Sequence, residues 1–436
     1  MSSLKEVIAF YKAASSAPIN SQEGKSFRCM VENVTYRLDQ KAATDRMLAL
    51  RILTRVLRKM RTGVEAIRKR EGLSSVAIVE SAFVFEDLEY DYVKRQREAP
   101  GWFISKEELP GKVPSRETLT LVLFALPIIL GTFFNSKNRA NRAMHIQFVA
   151  ELAGLKNVIQ EYGIQRLYDF APYLIDTNWS YVFLKPTLET YIKLPSPGPL
   201  STHHEILLCD ELILSSAYQE EEIPHLPNVQ FGTVSKWVPE YAFTYIDRYL
   251  SAIEEPHTQT IGYYSHGGWL RRADGHTDDG LNIPEAEEQL LKDLSVFLEA
   301  NPSFQLKIFP HPKEKKGGLI DNTRSFYEQF FKKEQFTLAG AEERTAMAFE
   351  QIDIAVAAFS TILYERLFCG YKTLIGNYGM DHFPMKASPL NNICFNDRSS
   401  LSEKLLSNSA VNRDEFFVKH GLTRYRHHSY SYFQNT

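Results

Sequence analysis

The chain has 436 residues, too many for one ordinary hydrophobic core, so we expect two domains of about 200 residues each. Hydrophobic residues make up 44% and charged residues 24%, which is typical of a soluble globular protein. The net charge of −3 supplies no overall positive field, so we expect no nucleic-acid partner. The four cysteines form no CxxC pair and predict neither a disulfide framework nor a zinc site. Residues 1–16 lack the apolar core of a signal peptide, so we expect a cytoplasmic protein.

Two stretches stand out near the N-terminus. Residues 44–70 place leucine, methionine, valine and isoleucine at helical spacing, with many arginines and lysines on the other faces. This predicts an amphipathic helix whose basic face is either simply solvated or contacts an anionic membrane or a phosphate-bearing acceptor. Residues 119–134, LTLVLFALPIILGTFF, are shorter than the ~20 residues of a spanning helix and contain Pro127 and Gly131. We expect a buried strand followed by a turn.

Strand and helix patterns alternate through the rest of the first half, which predicts a parallel α/β domain over residues 1–253 with leading helices. The predicted strands are residues 75–80, 118–125, 165–170, 191–194, 206–215 and 229–232. The predicted helices are residues 138–162, 177–184 and 239–253. Residues 254–258 are expected to be a linker.

The second half repeats this pattern and predicts a second α/β domain over residues 259–400. Its predicted strands are residues 260–264, 304–309, 336–338, 354–358 and 373–375. Its predicted helices are residues 286–298, 325–333, 345–350 and a helix that begins at Ser360 and ends at Gly370. Residues 401–436 are expected to form helices and a tail that pack back on the first domain.

Three loops of the second domain follow predicted strands, so we expect them at one edge of its sheet. Residues 265–268 offer two glycines whose backbone can approach a phosphate closely. His311 follows the next strand, and Ser360 and Thr361 begin a helix, which is a ready anion site. Each loop also has a simpler explanation: a turn, or a serine N-cap with a surface glutamate. The candidate binding residues are Ser265, His266, Gly267, Gly268, His311, Pro312, Lys313, Ser360, Thr361 and Glu365.

The motifs FPHP at residues 309–312 and STILYE at residues 360–365 resemble those of GT-B glycosyltransferases. The resemblance is to bacterial members with a His-Pro and a Ser-Ser/Thr motif: sialyltransferases, Kdo transferases and CDP-glycerol polymerases. It covers residues 260–378 and implies two Rossmann-like domains with a cleft between them. It also implies that His311 contacts the phosphate of a cytidine nucleotide donor, that Ser360 and Thr361 hold that phosphate, and that Glu365 holds the ribose.

The catalytic base does not follow from the resemblance. The sialyltransferase-like members carry an acidic-acidic-Gly motif in the first domain, whereas here the triplet occurs at residues 278–280, in the second. We interpret that triplet as a turn. A base is instead expected at a strand end of the first domain, where Asp169 is the first choice, Glu80 is an alternative, and Asp210 fits less well inside its apolar run. Asp169 has a simpler alternative role as a helix cap.

The sequence therefore predicts an inverting, metal-independent glycosyltransferase without a cofactor. Its donor would be a CMP-activated sugar, sialic acid- or Kdo-like, and its acceptor a glycan or glycolipid of the cell surface. Peripheral contact with the inner membrane is expected from the basic helix. The alternatives are a UDP- or GDP-sugar transferase, a nucleotide-sugar epimerase of the same fold, and a non-catalytic scaffold for polysaccharide assembly.

Overall fold

The computed structural model describes residues 3–18, 21, 24, 45–62, 67–69, 74–80, 93–94, 98–105, 109–111, 115–134, 139–169, 183–184, 187–193, 206–225, 228–236, 259–273, 283–316, 318–340, 343, 345–358, 360–379 and 389–426. They fall into two compact units. The first unit holds the described residues up to Leu214 together with residues 223–235. The second holds Ser215–Glu222 and the described residues from Lys236 onward. The linker predicted at residues 254–258 lies outside the described residues.

The first unit is built on a seven-stranded sheet with the order β1-β3-β2-β4-β5-β6-β7. The strands are β1 Ile67–Lys69, β2 Val76–Glu80, β3 Trp102–Ser105, β4 Arg166–Asp169, β5 Glu189–Lys193, β6 Ile206–Leu214 and β7 Asn228–Lys236. From β3 through β6 the neighbouring strands are parallel, and β1 pairs antiparallel with β3. The predicted parallel α/β domain is confirmed, although β1 and β3 were not predicted.

Helices of the first unit supply much of its hydrophobic core. They are α1 Ser3–Ser16, α2 Leu48–Thr62, α3 Ser115–Phe134 and α4 Arg139–Tyr162. The helix predicted at residues 44–70 ends at Thr62, and Ile67–Lys69 form β1 instead. The helices predicted at residues 177–184 and 239–253 lie mostly or wholly outside the described residues.

The strand predicted within residues 118–134 is wrong, because this segment is the helix α3. An uninterrupted apolar run has no period that separates a strand from a helix. Pro127 does not end α3, which continues to Phe134.

The second unit is built on a six-stranded sheet with the order β10-β9-β8-β11-β12-β13, in which all neighbours are parallel. Its strands are β8 Thr260–Tyr264, β9 Gln305–Phe309, β10 Phe336–Leu338, β11 Ile354–Ala357, β12 Thr373–Gly376 and β13 Cys394–Phe395. Every strand predicted here is confirmed, and β13 is an addition. Two parallel sheets with helical connections confirm the predicted α/β class with two Rossmann-like domains.

The helices of the second unit are α5 Ala217–Glu222, α6 Gly268–Ala273, α7 Ile283–Ala300, α8 Pro312–Lys315, α9 Ile320–Tyr327, α10 Thr361–Phe368, α11 Arg398–Ser409 and α12 Arg413–His420. The helix predicted at residues 325–333 is misplaced, because the helix here spans Ile320–Tyr327 and residues 328–333 lie beyond its end. Both α11 and α12 belong to the predicted tail, and their Leu401, Leu405 and Phe416 are buried in the core of the second unit. Contact of the tail with the first domain stays a prediction, and residues 427–436 lie outside the described residues.

Candidate functional site

The second sheet has one topological switch point, between β8 and β11. The chain runs outward from β8 to β9 and β10, and then returns to β11 on the other side of β8. Open parallel sheets bind ligands at such a point, outside the carboxyl ends of the strands. The loops predicted to form the site follow β8, β9 and β11, so they leave the sheet at this edge.

The loop after β8 is hydrogen-bonded to a buried glutamate on α7. Glu287 accepts hydrogen bonds from the backbone N–H of His266 (2.5 Å) and of Gly268 (2.6 Å). The Tyr263 hydroxyl donates to the same carboxylate at 2.8 Å. This carboxylate therefore determines the backbone path of residues 265–268.

The remaining N–H groups of this loop are also bonded within the protein. Ser265 N–H donates to the carbonyl oxygen of Phe309 (3.0 Å), and Gly267 N–H donates to Ser265 Oγ (2.9 Å). We expected this backbone to approach a phosphate closely, but its four N–H groups already have acceptors. A phosphate would meet side chains here, and binding by residues 265–268 stays a prediction.

Gly267 is favoured as glycine by its backbone conformation, and Gly268 by its packing. Gly267 has φ of 75°, a left-handed conformation, and a Cβ there would lie 3.4 Å from the Cβ of His311. A Cβ on Gly268 would lie 2.5 Å from Glu287 Oε2 and 2.8 Å from Pro284 Cα. The loops after β8 and β9 are close neighbours, since the ring centroids of His266 and His311 are 5.9 Å apart.

His311 is the N-cap of the short helix α8. Its Nδ1 accepts from the Lys313 N–H (3.2 Å), and its own backbone N–H donates to Glu314 Oε2 (2.5 Å). The predicted turn is therefore a reciprocal capping box with Pro312 in its first turn. Because Nδ1 accepts a hydrogen bond, a neutral imidazole carries its proton on Nε2. Lys313 and Pro312 are exposed.

Glu314 is a second buried carboxylate beneath the same loops. Its Oε1 accepts from the indole N–H of Trp269 and from the hydroxyl of Tyr327 (3.3 Å). Burial, with a smaller effect from the nearby charge of Glu314, raises the pKa of Glu287 to about 7, against hydrogen bonds that lower it. Burial also raises the pKa of Glu314. Neither glutamate was predicted as a site residue. For Glu314 the sequence does carry a signal, because a glutamate three positions after an N-cap residue is typical of a capping box.

The third loop leads into α10. Ser360 occupies the N-cap position in an extended conformation (φ −162°, ψ 134°), and its side chain makes no capping hydrogen bond. Its carbonyl oxygen accepts from the Leu363 N–H at 3.2 Å. Thr361 is exposed and Glu365, one turn further on, is half-buried. The simple N-cap explanation of Ser360 therefore lacks its defining bond, and the hydroxyl lies beside N–H groups that open a helix.

A buried arginine fixes α10 to the sheet. The guanidinium of Arg366 donates to the carbonyl oxygens of Phe349 (2.8 Å) and Ile352 (2.9 Å), just before β11. Next to it, Lys372 is buried and its Nζ lies 2.6 Å from Asp353 Oδ1. These bonds fix the C-terminal half of α10 beside the residues that precede β11.

The first unit has its own switch point, between β2 and β4, because β3 follows β2 on one side and the later strands continue on the other. Asp169 is the last residue of β4, fully buried, and pairs in register with Val79. Glu80 ends β2. Asp210 has a structural role, because its Oδ2 accepts hydrogen bonds from the Thr190 N–H (2.8 Å) and from the Thr190 hydroxyl (3.2 Å). The triplet at residues 278–280 lies outside the described residues.

No protein-family model matches the sequence, and no curated protein matches it. Solved structures with some likeness include S. aureus MnaA with UDP, at 10% identity over 80% of this chain and 91% of MnaA, with a TM-score of 0.46. Anabaena HepE with UDP and glucose matches at 9% identity over 81% of this chain and 96% of HepE, with a TM-score of 0.43. S. aureus TarM matches at 12% identity over 66% of this chain but only 58% of TarM, with a TM-score of 0.39. We base no residue role on likenesses at this level.

Proposed function

We propose that this protein is a GT-B glycosyltransferase that transfers a sugar from a nucleotide-activated donor to an acceptor hydroxyl. The observation that carries the proposal is that His311 follows β9 and α10 begins after β11, so both leave the same edge of the parallel sheet from the two strands that flank β8. A helix N-terminus with two hydroxyls and an imidazole is suited to a phosphate group. The resemblance of FPHP and STILYE to His-Pro and Ser-Ser/Thr motifs supports the same assignment.

In this proposal hydroxyl groups, backbone N–H groups and an imidazole bind the donor phosphate. Ser360 makes no side-chain capping bond. In this proposal its hydroxyl, the Thr361 hydroxyl and the first N–H groups of α10 bind phosphate oxygens. With Nδ1 of His311 accepting from Lys313, Nε2–H is the nitrogen that donates to the phosphate. These groups stabilise negative charge as the nucleotide leaves. Glu365 is assigned to the ribose, and residues 265–268, Pro312 and Lys313 border this site.

The acceptor side of the reaction belongs to the first unit in this proposal. The acceptor oxygen attacks the anomeric carbon, the bond from that carbon to the phosphate oxygen breaks, and the hydroxyl proton passes to a carboxylate. Asp169 is assigned as that base because it ends a central strand at the switch point of the first sheet. The nucleotide leaves with the bonding electrons, and the configuration at the anomeric carbon inverts.

The proposal also specifies the nucleobase of the sugar donor. The sequence motifs favour cytidine, with a sialic acid- or Kdo-like sugar, whereas MnaA and HepE are each described with UDP, which corresponds to the uridine alternative. We propose a cytoplasmic enzyme that acts on a glycan or glycolipid acceptor. In this proposal the helix N-terminus supplies partial positive charge for the leaving phosphate and the imidazole supplies an N–H donor, so activity should survive EDTA.

A thermal-shift panel of CMP, CDP, UMP, UDP and GDP tests the donor site. A nucleotide that binds stabilises the protein by about 2.7 kcal/mol at a hundredfold excess over Kd. The shift should be lost in Ser360→Ala/Thr361→Val and kept in Ser407→Ala/Ser409→Ala, whose hydroxyls lie on α11. A panel in which no nucleotide raises the melting temperature overturns the proposal.

Release of nucleotide from the donor identified in this way tests catalysis. A transferase or its slow donor hydrolysis produces free nucleotide, whereas a scaffold that only binds the donor produces none. An epimerase would convert the sugar without an added acceptor, and that outcome would contradict the transferase assignment while leaving the donor site intact.

A further inference from the structure

A row of large apolar side chains lies exposed along one side of α3. Their exposed fractions run from 43% to 82%. Steps of mostly three and four positions place them on one face of the helix. We call this face the apolar stripe; it consists of Leu119, Leu123, Leu126, Leu130, Phe133 and Phe134.

The other side of α3 is packed inside the first unit. Leu121 and Ala125 are fully buried, and α3 contacts α1, α2 and α4. The ring of Phe124 meets the ring of Tyr11 edge-on, with centroids 5.4 Å apart. The orientation of α3 is therefore fixed by its own unit, and the apolar stripe faces away from those contacts.

Single exposed leucines are common on soluble proteins, but a continuous row along a helix about 30 Å long marks an interaction site. Among the described residues, one helix, at residues 116–134, is long and apolar enough to cross a membrane, and 22% of that window is buried. Lipid on every side would require α3 to leave α1, α2 and α4. This geometry fits a helix that lies in the surface of a bilayer with one face inserted.

Positive charge lies beside the apolar stripe. Helix α2 packs against α3 and contains no acidic residue. Arg116 is exposed at the start of α3, and Arg142 of α4 reaches to within 3.8 Å of the Cβ position of Gly131 near its end. The basic residues of α2 are Arg51, Arg55, Arg58, Lys59 and Arg61, and its four arginines are exposed.

We propose that α3 and α2 form a membrane-contact surface, in which the apolar stripe inserts into a bilayer and α2 binds its anionic headgroups. Stable peripheral binding takes two such signals, and a bilayer supplies both partners at once. A second copy of this chain fits less well, because it would bring its own α2 and place positive charge against positive charge. The surface belongs to the first unit alone, so it does not depend on the donor site of the second.

Vesicle flotation of the full-length protein tests this surface. We expect binding to vesicles of equal parts phosphatidylcholine and phosphatidylglycerol, and weaker binding to phosphatidylcholine alone. Leu123→Glu/Leu130→Glu should lower binding to anionic vesicles at least about tenfold. Arg58→Gln/Arg61→Gln should weaken binding to the anionic vesicles and leave binding to phosphatidylcholine unchanged.

The matched control is Leu406→Glu/Val418→Glu, which places the same charges at exposed apolar positions on α11 and α12 of the second unit. It should float like the unmodified protein, and circular dichroism should show all variants folded. Equal flotation of the stripe variant and this control overturns the proposal. The proposal is also overturned if the unmodified protein floats with neither kind of vesicle. In that case, gel filtration that shows a dimer disrupted by the stripe substitutions would identify the apolar stripe as an interface between two copies of the chain.

Discussion

The buried carboxylate of Glu287 accepts a hydrogen bond from the backbone N–H of His266, with 2.5 Å between nitrogen and oxygen. Its second oxygen accepts from Gly268, two residues further along. Two donors of one loop thus meet a single carboxylate on α7, which is itself part of the core. Glu287 therefore fixes the backbone conformation of the loop that borders the proposed donor site.

The first prediction concerns the pH dependence that this buried carboxylate brings. Burial raises the pKa of Glu287 from 4.5 to about 7, so the folded protein binds this proton more tightly than the unfolded chain. Its contribution to the free energy of unfolding is full below pH 4.5 and is lost as the pH rises through about 7. The loss is about 3 kcal/mol. Chemical denaturation should show that the stability of the protein, minus that of Glu287→Gln, declines by this amount over that range.

The neighbouring Glu288 supplies a control of opposite sign. Hydrogen bonds from Lys292 and Arg272 lower the pKa of Glu288, so its contribution is present at neutral pH and is lost as the pH falls. Glu288→Gln should therefore show a difference from the unmodified protein that grows, not shrinks, with rising pH. A Glu287→Gln difference that is flat across the range would mean that Glu287 is ionised throughout.

The second prediction separates the two tasks of His311, which caps α8 and is proposed to bind the leaving phosphate. Asparagine is a good N-cap, so His311→Asn keeps an acceptor for the Lys313 N–H but has no Nε2. It should lower kcat by about 10²–10³-fold while the melting temperature stays close to that of the unmodified protein. His311→Ala should show the same fall in kcat and lose about 1 kcal/mol of stability as well. An active His311→Asn protein would reduce His311 to a structural cap.

The third prediction concerns the base. Asp169→Asn should lower kcat by about 10²–10⁴-fold and leave the donor-induced shift in melting temperature unchanged, because the proposed donor site belongs to the second unit. Asp210→Asn is the control, since Asp210 bonds Thr190 on the neighbouring strand. It should lower stability and leave kcat nearly unchanged. If Asp169→Asn is folded and fully active, the base must be sought elsewhere, with Glu80 as the first alternative.

The fold was predictable where several local signals agreed. The segment from β11 to β12 combines a short apolar run, a serine at a helix start and Gly370 at its end, and the structure has strand, helix and strand there. Helix α3 was mispredicted because apolar residues occupy nearly every position from Leu121 to Ile129, so composition conceals the three-and-four spacing of the apolar stripe. Only the packing of its neighbours reveals which side of such a helix is buried.

Some residues of the candidate site could be predicted from the sequence and others could not. His311, Ser360 and Thr361 were identifiable because each lies within four residues of the end of a strand, and parallel strands bring their ends to one edge. Glu287 and Glu314 support those loops from helices, through bonds that depend on how α7 and α8 pack on the sheet. No spacing in a single sequence encodes such a contact for Glu287, which is 21 residues away from His266.

The last prediction tests whether Ser360 is a helix cap or a ligand for phosphate. A serine that caps a helix loses about 1 kcal/mol of stability on replacement by alanine. Because the Ser360 side chain makes no capping bond, Ser360→Ala should change the free energy of unfolding by less than about 0.5 kcal/mol. It should nevertheless weaken nucleotide binding about tenfold or more, since a hydrogen bond to a charged group contributes about 1.5–3 kcal/mol.

Asp397 provides the matched control, because it caps α11 in the same unit and its carboxylate accepts from the Ser400 N–H at 2.8 Å. Asp397→Ala should lose about 1 kcal/mol of stability and bind nucleotide like the unmodified protein. The two variants should therefore show opposite effects. Ser360→Ala should weaken nucleotide binding and keep the free energy of unfolding, whereas Asp397→Ala should lower the free energy of unfolding and keep nucleotide binding. If Ser360→Ala instead behaves like Asp397→Ala, the hydroxyl of Ser360 is a cap, and the phosphate must be held by His311 and the backbone of α10 alone.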